Sequence, residues 1–168
     1  MAEAAVGLGA NLGDRLRNLR TGLFGIGLPV LAASSLYESA PVETDPSQPR
    51  YLNAVAILDA PPGLAPEDLL ERLLRVETAH GRVRGPGKAA RTLDLDLLLF
   101  GDLERHGEPL ELPHPGIARR RFVLEPLLEV REGLRLPDGT FLRDRLAACL
   151  DQDVRRVEGR CWAWRIST

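Results

Sequence analysis

Lysine is almost missing from this chain of 168 residues: Lys88 is the single one among 22 basic side chains, and the rest are arginine. Arginine suits bidentate phosphate contacts, but such a bias also follows from genome composition or adaptation to heat, so alone it decides nothing. Cysteine is scarce as well. Cys149 and Cys161 have no metal-ligand spacing, and buried free thiols are expected rather than a disulfide. No apolar run approaches the roughly 20 residues of a membrane span. The first residues lack the basic segment and long apolar stretch of a signal peptide, so a cytoplasmic protein is expected. Internal repeats and low-complexity tracts are absent. A net charge of −2, with 44% apolar and 27% charged residues, is ordinary for a globular chain, and the length suits one domain over residues 1–168.

Against this background one stretch stands out, Arg91-Thr92-Leu93-Asp94-Leu95-Asp96-Leu97-Leu98-Leu99-Phe100. It sets two carboxylates inside the most strand-like apolar run. With a side-chain period of two, Asp94 and Asp96 share one face and Leu93, Leu95 and Leu97 the other, the two acid Cβ atoms roughly 7 Å apart. Carboxylates so placed can converge on one divalent cation or on a pair. The alternative is the wet face of an ordinary half-exposed strand. The acid face continues through Leu98 and Phe100, which puts the acids where a covered face opens to water, at a cleft mouth.

Elsewhere the pattern alternates between strand and helix. Ala4 to Leu8 reads as a strand, and Gly9 to Asp14 as a turn into a helix capped by Asp14, with Leu16, Leu19, Leu23 and Phe24 on its stripe. That turn could cradle phosphate but lacks the lysine and length of a P-loop, so a plain tight turn is the simpler reading. Pro29 to Tyr37 and Tyr51 to Leu58 read as strands, the second with Tyr51, Asn53 and Val55 on one face. Between them lies a proline-rich loop, Ala40 to Arg50. A helix follows from Pro66 to about His80, with Glu77 unfavourably close to its C-terminal end. Gly81 to Arg91 carries four basic residues and three glycines, the makings of a lid closing on an anion or of a solvated loop. His114 is held between Pro113 and Pro115, and Arg119-Arg120-Arg121-Phe122 opens a helix to about Val130 that Pro126 strains or shortens. Phe141 to Leu150 reads as a short helix and Val154 to Val157 as a last strand. Too few βαβ units occur for a doubly wound sheet; helices packed on a largely antiparallel sheet are expected.

Four segments together resemble the pterin pyrophosphokinase family of folate biosynthesis: Gly9-Ala10-Asn11-Leu12-Gly13-Asp14, Tyr51-Leu52-Asn53-Ala54, Gly81-Arg82-Val83-Arg84 through Arg91-Thr92-Leu93-Asp94-Leu95-Asp96, and Pro113-His114-Pro115 through Arg120-Arg121-Phe122. The resemblance implies an α+β, ferredoxin-like αβα arrangement. It also implies transfer of the diphosphate of ATP to the hydroxymethyl group of 6-hydroxymethyl-7,8-dihydropterin, releasing AMP, with two Mg2+ ions on Asp94 and Asp96. By the same resemblance Ser39, Ala40, Pro41, Val42, Tyr51, Asn53 and Phe122 would bind the pterin. Glu77, Arg82, Arg84, Arg91, Leu97, His114 and Arg120 would bind ATP. Arg82, Arg91 and Asp96 would serve catalysis, Asp96 helping to deprotonate the alcohol. The implied partners are these two small molecules, with neither nucleic acid nor membrane, and a monomer is expected. In segment 85–90 the chain departs from the family pattern, with Ala89-Ala90 where many members carry a Gly-Pro pair.

Two other classes are open to such a sequence. An RNA-recognition sheet needs exposed aromatics on adjacent central strands, and Tyr51 is the single strand aromatic that qualifies; Asp94 and Asp96 would also repel the phosphates. A two-metal phosphodiesterase usually needs more acidic ligands than this stretch offers.

Overall fold

The computed structural model describes residues 2–81 and 90–164. In chain order these form strand β1 (Ala2–Ala10), helix α1 (Arg15–Gly25), strands β2 (Val30–Ala33), β3 (Leu36–Ser39) and β4 (Tyr51–Ala60), helix α2 (Pro66–Ala79) and strand β5 (Asp94–Phe100). After a 3-10 turn at Ile117–Arg119 come helices α3 (Arg121–Val130) and α4 (Leu142–Ala147), strand β6 (Val154–Glu158) and a final 3-10 turn at Arg160–Ala163. The strands make one six-stranded sheet in the order β5-β1-β4-β3-β6, with β2 also on β4. Every strand pair is antiparallel. The fold is α+β, a largely antiparallel sheet flanked by helices, as expected.

Alternation divides the sheet into two faces. Ala4, Val6, Leu8 and Ala10 of β1, Leu52 to Leu58 at every second position of β4, and Leu93, Leu95 and Leu97 pack with Leu19, Leu23, Leu69 and Leu73 of α1 and α2. Ala5, Val55, Ile57 and Leu98 pack on the opposite side with Val123, Leu124 and Leu127 of α3 and Leu142 of α4. The helix α3 covers part of this second face, and the uncovered end is where the carboxylates emerge.

Several boundaries differ from expectation for identifiable reasons. β1 runs on to Ala10, so Gly9 is a strand residue, and the turn is served by Gly13 at φ 65°. Asp14 does cap α1, its Oδ1 accepting from the Arg17 N–H at 3.0 Å. Phe24 lies one step round from the Leu19 and Leu23 stripe and is 53% exposed. The expected Pro29–Tyr37 strand is broken at Ser34-Ser35, where the Ser34 hydroxyl accepts from the Val55 N–H at 2.9 Å in place of a ladder carbonyl. The Ser34 carbonyl turns instead to the Trp162 indole N–H at 2.8 Å. In β5 a register shift opposite Ala5/Val6 reverses the alternation, so Leu98 stays on the acid face while Phe100 joins the α1/α2 core. Pro126 sits inside α3, which still reaches Val130. α4 is shorter than expected because the chain beyond Ala147 tightens, with Cys149 N–H on the Leu146 carbonyl at 2.9 Å. Both cysteines are free, but Cys161 is exposed while Cys149 is buried.

Candidate active site

On the uncovered end of the second face lies a cavity of about 250 Å³. Its floor is the sheet: Gly7 and Gly9 of β1, Ser39 of β3, Tyr51, Asn53 and Val55 of β4, and Asp94 and Asp96 of β5. Antiparallel pairing sets Gly7 opposite Asp96 and Gly9 opposite Asp94 on one side, and Gly9 opposite Asn53 on the other. The two glycines keep this floor low. A Cβ on Gly9 would stand 3.4 Å from Asn53 Oδ1 and 3.8 Å from Tyr51 Cδ1.

Asp94 and Asp96 are both half-buried, as a cleft mouth requires, with side chains 27% and 35% exposed. Arg91, three residues before Asp94, puts Nη1 2.6 Å from Asp94 Oδ1. Burial works against the Arg91 charge, but the Asp94 carboxylate outweighs it and the pKa of Arg91 rises. Asp96 is pushed up to about 7, first by burial and second by the charge of Asp94, with Arg120 opposing. Asp96 is thus the member of the pair whose charge is disfavoured, while Asp94 is held by Arg91.

His114 stands beside Asp96, Nε2 to Oδ1 at 3.8 Å. Its backbone N–H is held by the Leu98 carbonyl at 2.9 Å, and its Nδ1 accepts from the Gly116 N–H at 2.9 Å. With Nδ1 used as an acceptor, the neutral ring carries its proton on Nε2 and points it at the acids. Burial and the nearby Arg120 lower the pKa of His114, which favours that neutral form. Arg120 lines the same cavity, as does Phe122, whose ring centre lies 6.0 Å from the Arg120 guanidinium.

The other end of the cavity is neutral and polar. Asn53, 4% exposed, donates from Nδ2 to Ser39 Oγ at 2.8 Å and to the Tyr37 carbonyl at 3.3 Å. Both amide hydrogens are engaged, leaving Oδ1 to face the space over Gly9. The hydroxyl pKa of Tyr51 is raised by burial and then by Asp94.

Of the residues singled out in the sequence, Ser39, Ala40, Val42, Tyr51, Asn53, Arg91, Asp94, Asp96, His114, Arg120 and Phe122 line this one cavity, and Pro41 does not. Glu77 and Leu97 are not among the lining residues either. Glu77, 1% exposed, projects from α2 on the far side of β5 and accepts the Leu95 N–H at 2.7 Å. The Leu97 side chain is in the α1/α2 core. Arg82 and Arg84 lie outside the described residues, as does Lys88.

Asn11 was visible in the sequence as part of a turn, but its role was not. Nearly fully buried at 3% exposure, it donates to Gln48 Oε1 at 3.3 Å and to the Pro49 carbonyl at 3.2 Å. Its Oδ1 accepts the Arg91 N–H at 2.7 Å. It thereby joins the 40–50 loop to the segment that enters the acid strand. Gly7, Gly9 and Thr44 were also missed as lining residues; a glycine at every second position of an otherwise apolar strand is the signal that could have found the first two.

Carboxylates facing guanidinium groups, beside a neutral polar slot for a flat molecule, define a site for moving phosphoryl groups onto a small acceptor. A profile of the 7,8-dihydro-6-hydroxymethylpterin-pyrophosphokinase family matches residues 5–132. The chain is 42% identical over 158 residues to a 2-amino-4-hydroxy-6-hydroxymethyldihydropteridine pyrophosphokinase of Pseudomonas aeruginosa, covering 92% of this chain and 96% of that one. It is 36% identical over 161 residues to the protein of the same name from Haemophilus influenzae, covering 94% and 99%. In fold it matches the crystal structure of Plasmodium falciparum wild-type HPPK-DHPS with pteroate, with a TM-score of 0.68 at 12% identity, over 88% of this chain and 44% of that chain. The chain therefore spans less than half of that protein, and this likeness is one of fold. The chain belongs to the 7,8-dihydro-6-hydroxymethylpterin-pyrophosphokinase family.

Among the described residues no helix is long and apolar enough to cross a membrane.

Proposed function

We propose that this chain transfers the diphosphate of ATP to the hydroxymethyl group of 6-hydroxymethyl-7,8-dihydropterin, giving the pterin diphosphate and AMP. The observation that carries the reading is the convergence of Asp94, Asp96, Arg91, His114 and Arg120 at one end of a cavity whose other end is Ser39, Tyr51, Asn53 and Phe122. In the reaction the hydroxymethyl oxygen attacks the β-phosphorus, the bond from that phosphorus to the oxygen bridging the α-phosphorus breaks, and AMP leaves with that oxygen. The alcohol proton is released, with Asp96 helping to take it up.

Asp94 and Asp96 fit a divalent cation: they are hard oxygen donors on one strand face, and burial together with the charge of Asp94 raises the proton affinity of Asp96, which a bound cation would relieve. Among the described residues no cluster of three or more metal-ligating side chains forms, so phosphate oxygens and water would complete the shells. Two Mg2+ ions held there supply charge neutralisation for the triphosphate. Arg91 and Arg120 clamp the phosphates, joined by Arg82 and Arg84 from the 82–89 segment. His114 donates a hydrogen bond from Nε2–H to a phosphate oxygen. Glu77 and Leu97 contribute from behind β5, Glu77 by fixing the strand that bears the acids. At the other end Asn53 Oδ1 accepts from an N–H edge of the pterin, Phe122 stacks on the ring, and backbone groups of Ser39 to Val42 hold its rim.

The reading is of a monomeric cytoplasmic enzyme with one domain over residues 1–168. Phosphorus NMR of purified protein with Mg2+, ATP and the reduced pterin tests it. The three ATP resonances should give way to AMP and a two-phosphorus ester, and chelating the metal should stop the change. ADP as the nucleotide product would mean attack at the γ-phosphorus and would refute the reading.

A further inference from the structure

The loop between β3 and β4 carries an acid that the reaction does not use. Glu43 sits between Val42 and Thr44, both of which line the cavity. Its own carboxylate reaches the arginines that open α3, Oε1 at 3.3 Å from Arg119 Nε and Oε2 at 3.1 Å from Arg120 Nη2. Glu43 is also the one non-glycine with positive φ, 56°, among the described residues. A backbone conformation that L residues rarely adopt is kept here while the carboxylate spans two guanidinium groups.

Arg120 is the more enclosed partner, with 18% of its side chain exposed against 62% for Arg119. Its guanidinium lies against Gly116, where a Cβ would stand 2.9 Å from Cζ. It is therefore a seated group facing the cavity, and Glu43 holds one of its donors. A phosphate arriving at that guanidinium must share or displace the carboxylate, and a polyphosphate carries more charge and more acceptor oxygens than one glutamate.

We propose that Glu43 is an internal counter-ion that competes with the nucleotide's phosphates for Arg120 and Arg119, so that nucleotide binding releases the loop walling the acceptor end of the pocket. The inference rests on the assignment of the cavity to ATP and a pterin and adds a residue that couples its two ends. Arg91 is held differently, because its partner Asp94 is one of the two strand carboxylates, whereas Glu43 comes from the 40–50 loop. The coupling is reciprocal: the factor by which bound nucleotide changes the affinity for the pterin is the factor by which bound pterin changes the affinity for the nucleotide.

The test is titration calorimetry of the full chain with Mg2+ and α,β-methylene ATP, in which the bond that breaks is blocked. Removing a half-exposed competitor should tighten binding about two- to fivefold in Glu43→Gln, the range expected of a surface ion pair. Glu43→Gly, which removes the charge and suits the positive φ, should tighten it as much. In an Arg120→Ala background the effect of Glu43→Gln should shrink. Amide exchange across residues 40–50 should quicken when the analogue binds to the wild type, and should already be fast in unliganded Glu43→Gln. Unchanged or weaker binding in both variants overturns the proposal, as does tightening in the glycine variant alone, which would assign the effect to backbone conformation. If the wild type itself does not bind the analogue, the nucleotide assignment fails and this inference with it; wild-type binding with no response at Glu43 removes this inference alone.

Discussion

Trp162, which the sequence left as either a packing residue or part of an exposed edge, is among the largest fully buried side chains of the described residues. It packs in the α1/α2 core, its indole N–H donates to the Ser34 carbonyl at 2.8 Å, and its own carbonyl accepts from Arg20 Nε at 2.8 Å. Trp162→Ala removes the whole ring from a site that cannot collapse around one missing side chain, which costs about 3 to 5 kcal/mol. The stranded Ser34 carbonyl adds up to about 2 kcal/mol unless water reaches it. Trp162→Phe keeps most of the apolar contact and loses the hydrogen bond, so its cost should be about 1 to 3 kcal/mol. With a urea slope of about 2 kcal/mol per molar, the alanine variant should lose roughly 2 M in midpoint and the phenylalanine variant about half of that. Urea unfolding followed by far-UV circular dichroism reads both. Because Ser34 is where β2 breaks from β3, and β3 carries Ser39, the alanine variant should also bind the pterin more weakly than its folded fraction explains. A loss below about 1 kcal/mol in Trp162→Ala would mean that the tail is not part of the core.

Asp94→Asn and Asp96→Asn should each lower AMP formation by at least about a hundredfold; thermal unfolding should be no worse than wild type in Asp96→Asn, which removes the disfavoured charge, and slightly worse in Asp94→Asn, which loses the ion pair with Arg91, as a turnover assay and a melting curve check. Gly9→Ala should raise the KM for the pterin with little change in that for ATP, since the added Cβ stands 3.4 Å from Asn53 Oδ1 at the pterin end. Glu129 has its pKa lowered to about 2: burial would raise it, but hydrogen bonds from Arg160, Tyr37 and Ser35 prevail. A depressed carboxyl contributes stability above its unfolded pKa of about 4.5 and loses it as pH falls toward about 2, so Glu129→Gln should cost about 2 kcal/mol at pH 7 and progressively less below pH 4.5. Denaturant unfolding across that range measures the convergence.

How much of this was legible in the sequence depended on whether a residue's partner was near it in the chain. Asp94 and Asp96 announced themselves because two carboxylates at strand spacing in an apolar run conflict with simple burial. The α2 stripe and the Asp14 cap were readable for the same local reason. The break at Ser34-Ser35 was not, because it depends on Trp162, 128 residues away, drawing off a carbonyl. Likewise the exit of Phe100 to the opposite core follows from the register between β5 and β1, which no local pattern encodes. Asn11 read as a turn residue, and its bonds to Gln48, Pro49 and Arg91 exist only once the sheet has brought those three segments together. The resemblance to pterin pyrophosphokinases supplied the grouping of Ser39, Asn53, His114, Arg120 and Phe122, which spacing alone would have left unconnected.

On the proposed reading, the two strand carboxylates make this cavity a metal-dependent diphosphotransferase site. The most direct measurement is manganese binding by paramagnetic resonance, with Mn2+ standing in for Mg2+, in the presence of saturating α,β-methylene ATP. Two ions bound per wild-type chain, with the second lost and the first weakened in Asp96→Asn, is the predicted result. The same two ions held with unchanged affinity by the Asp94→Asn and Asp96→Asn proteins would contradict it.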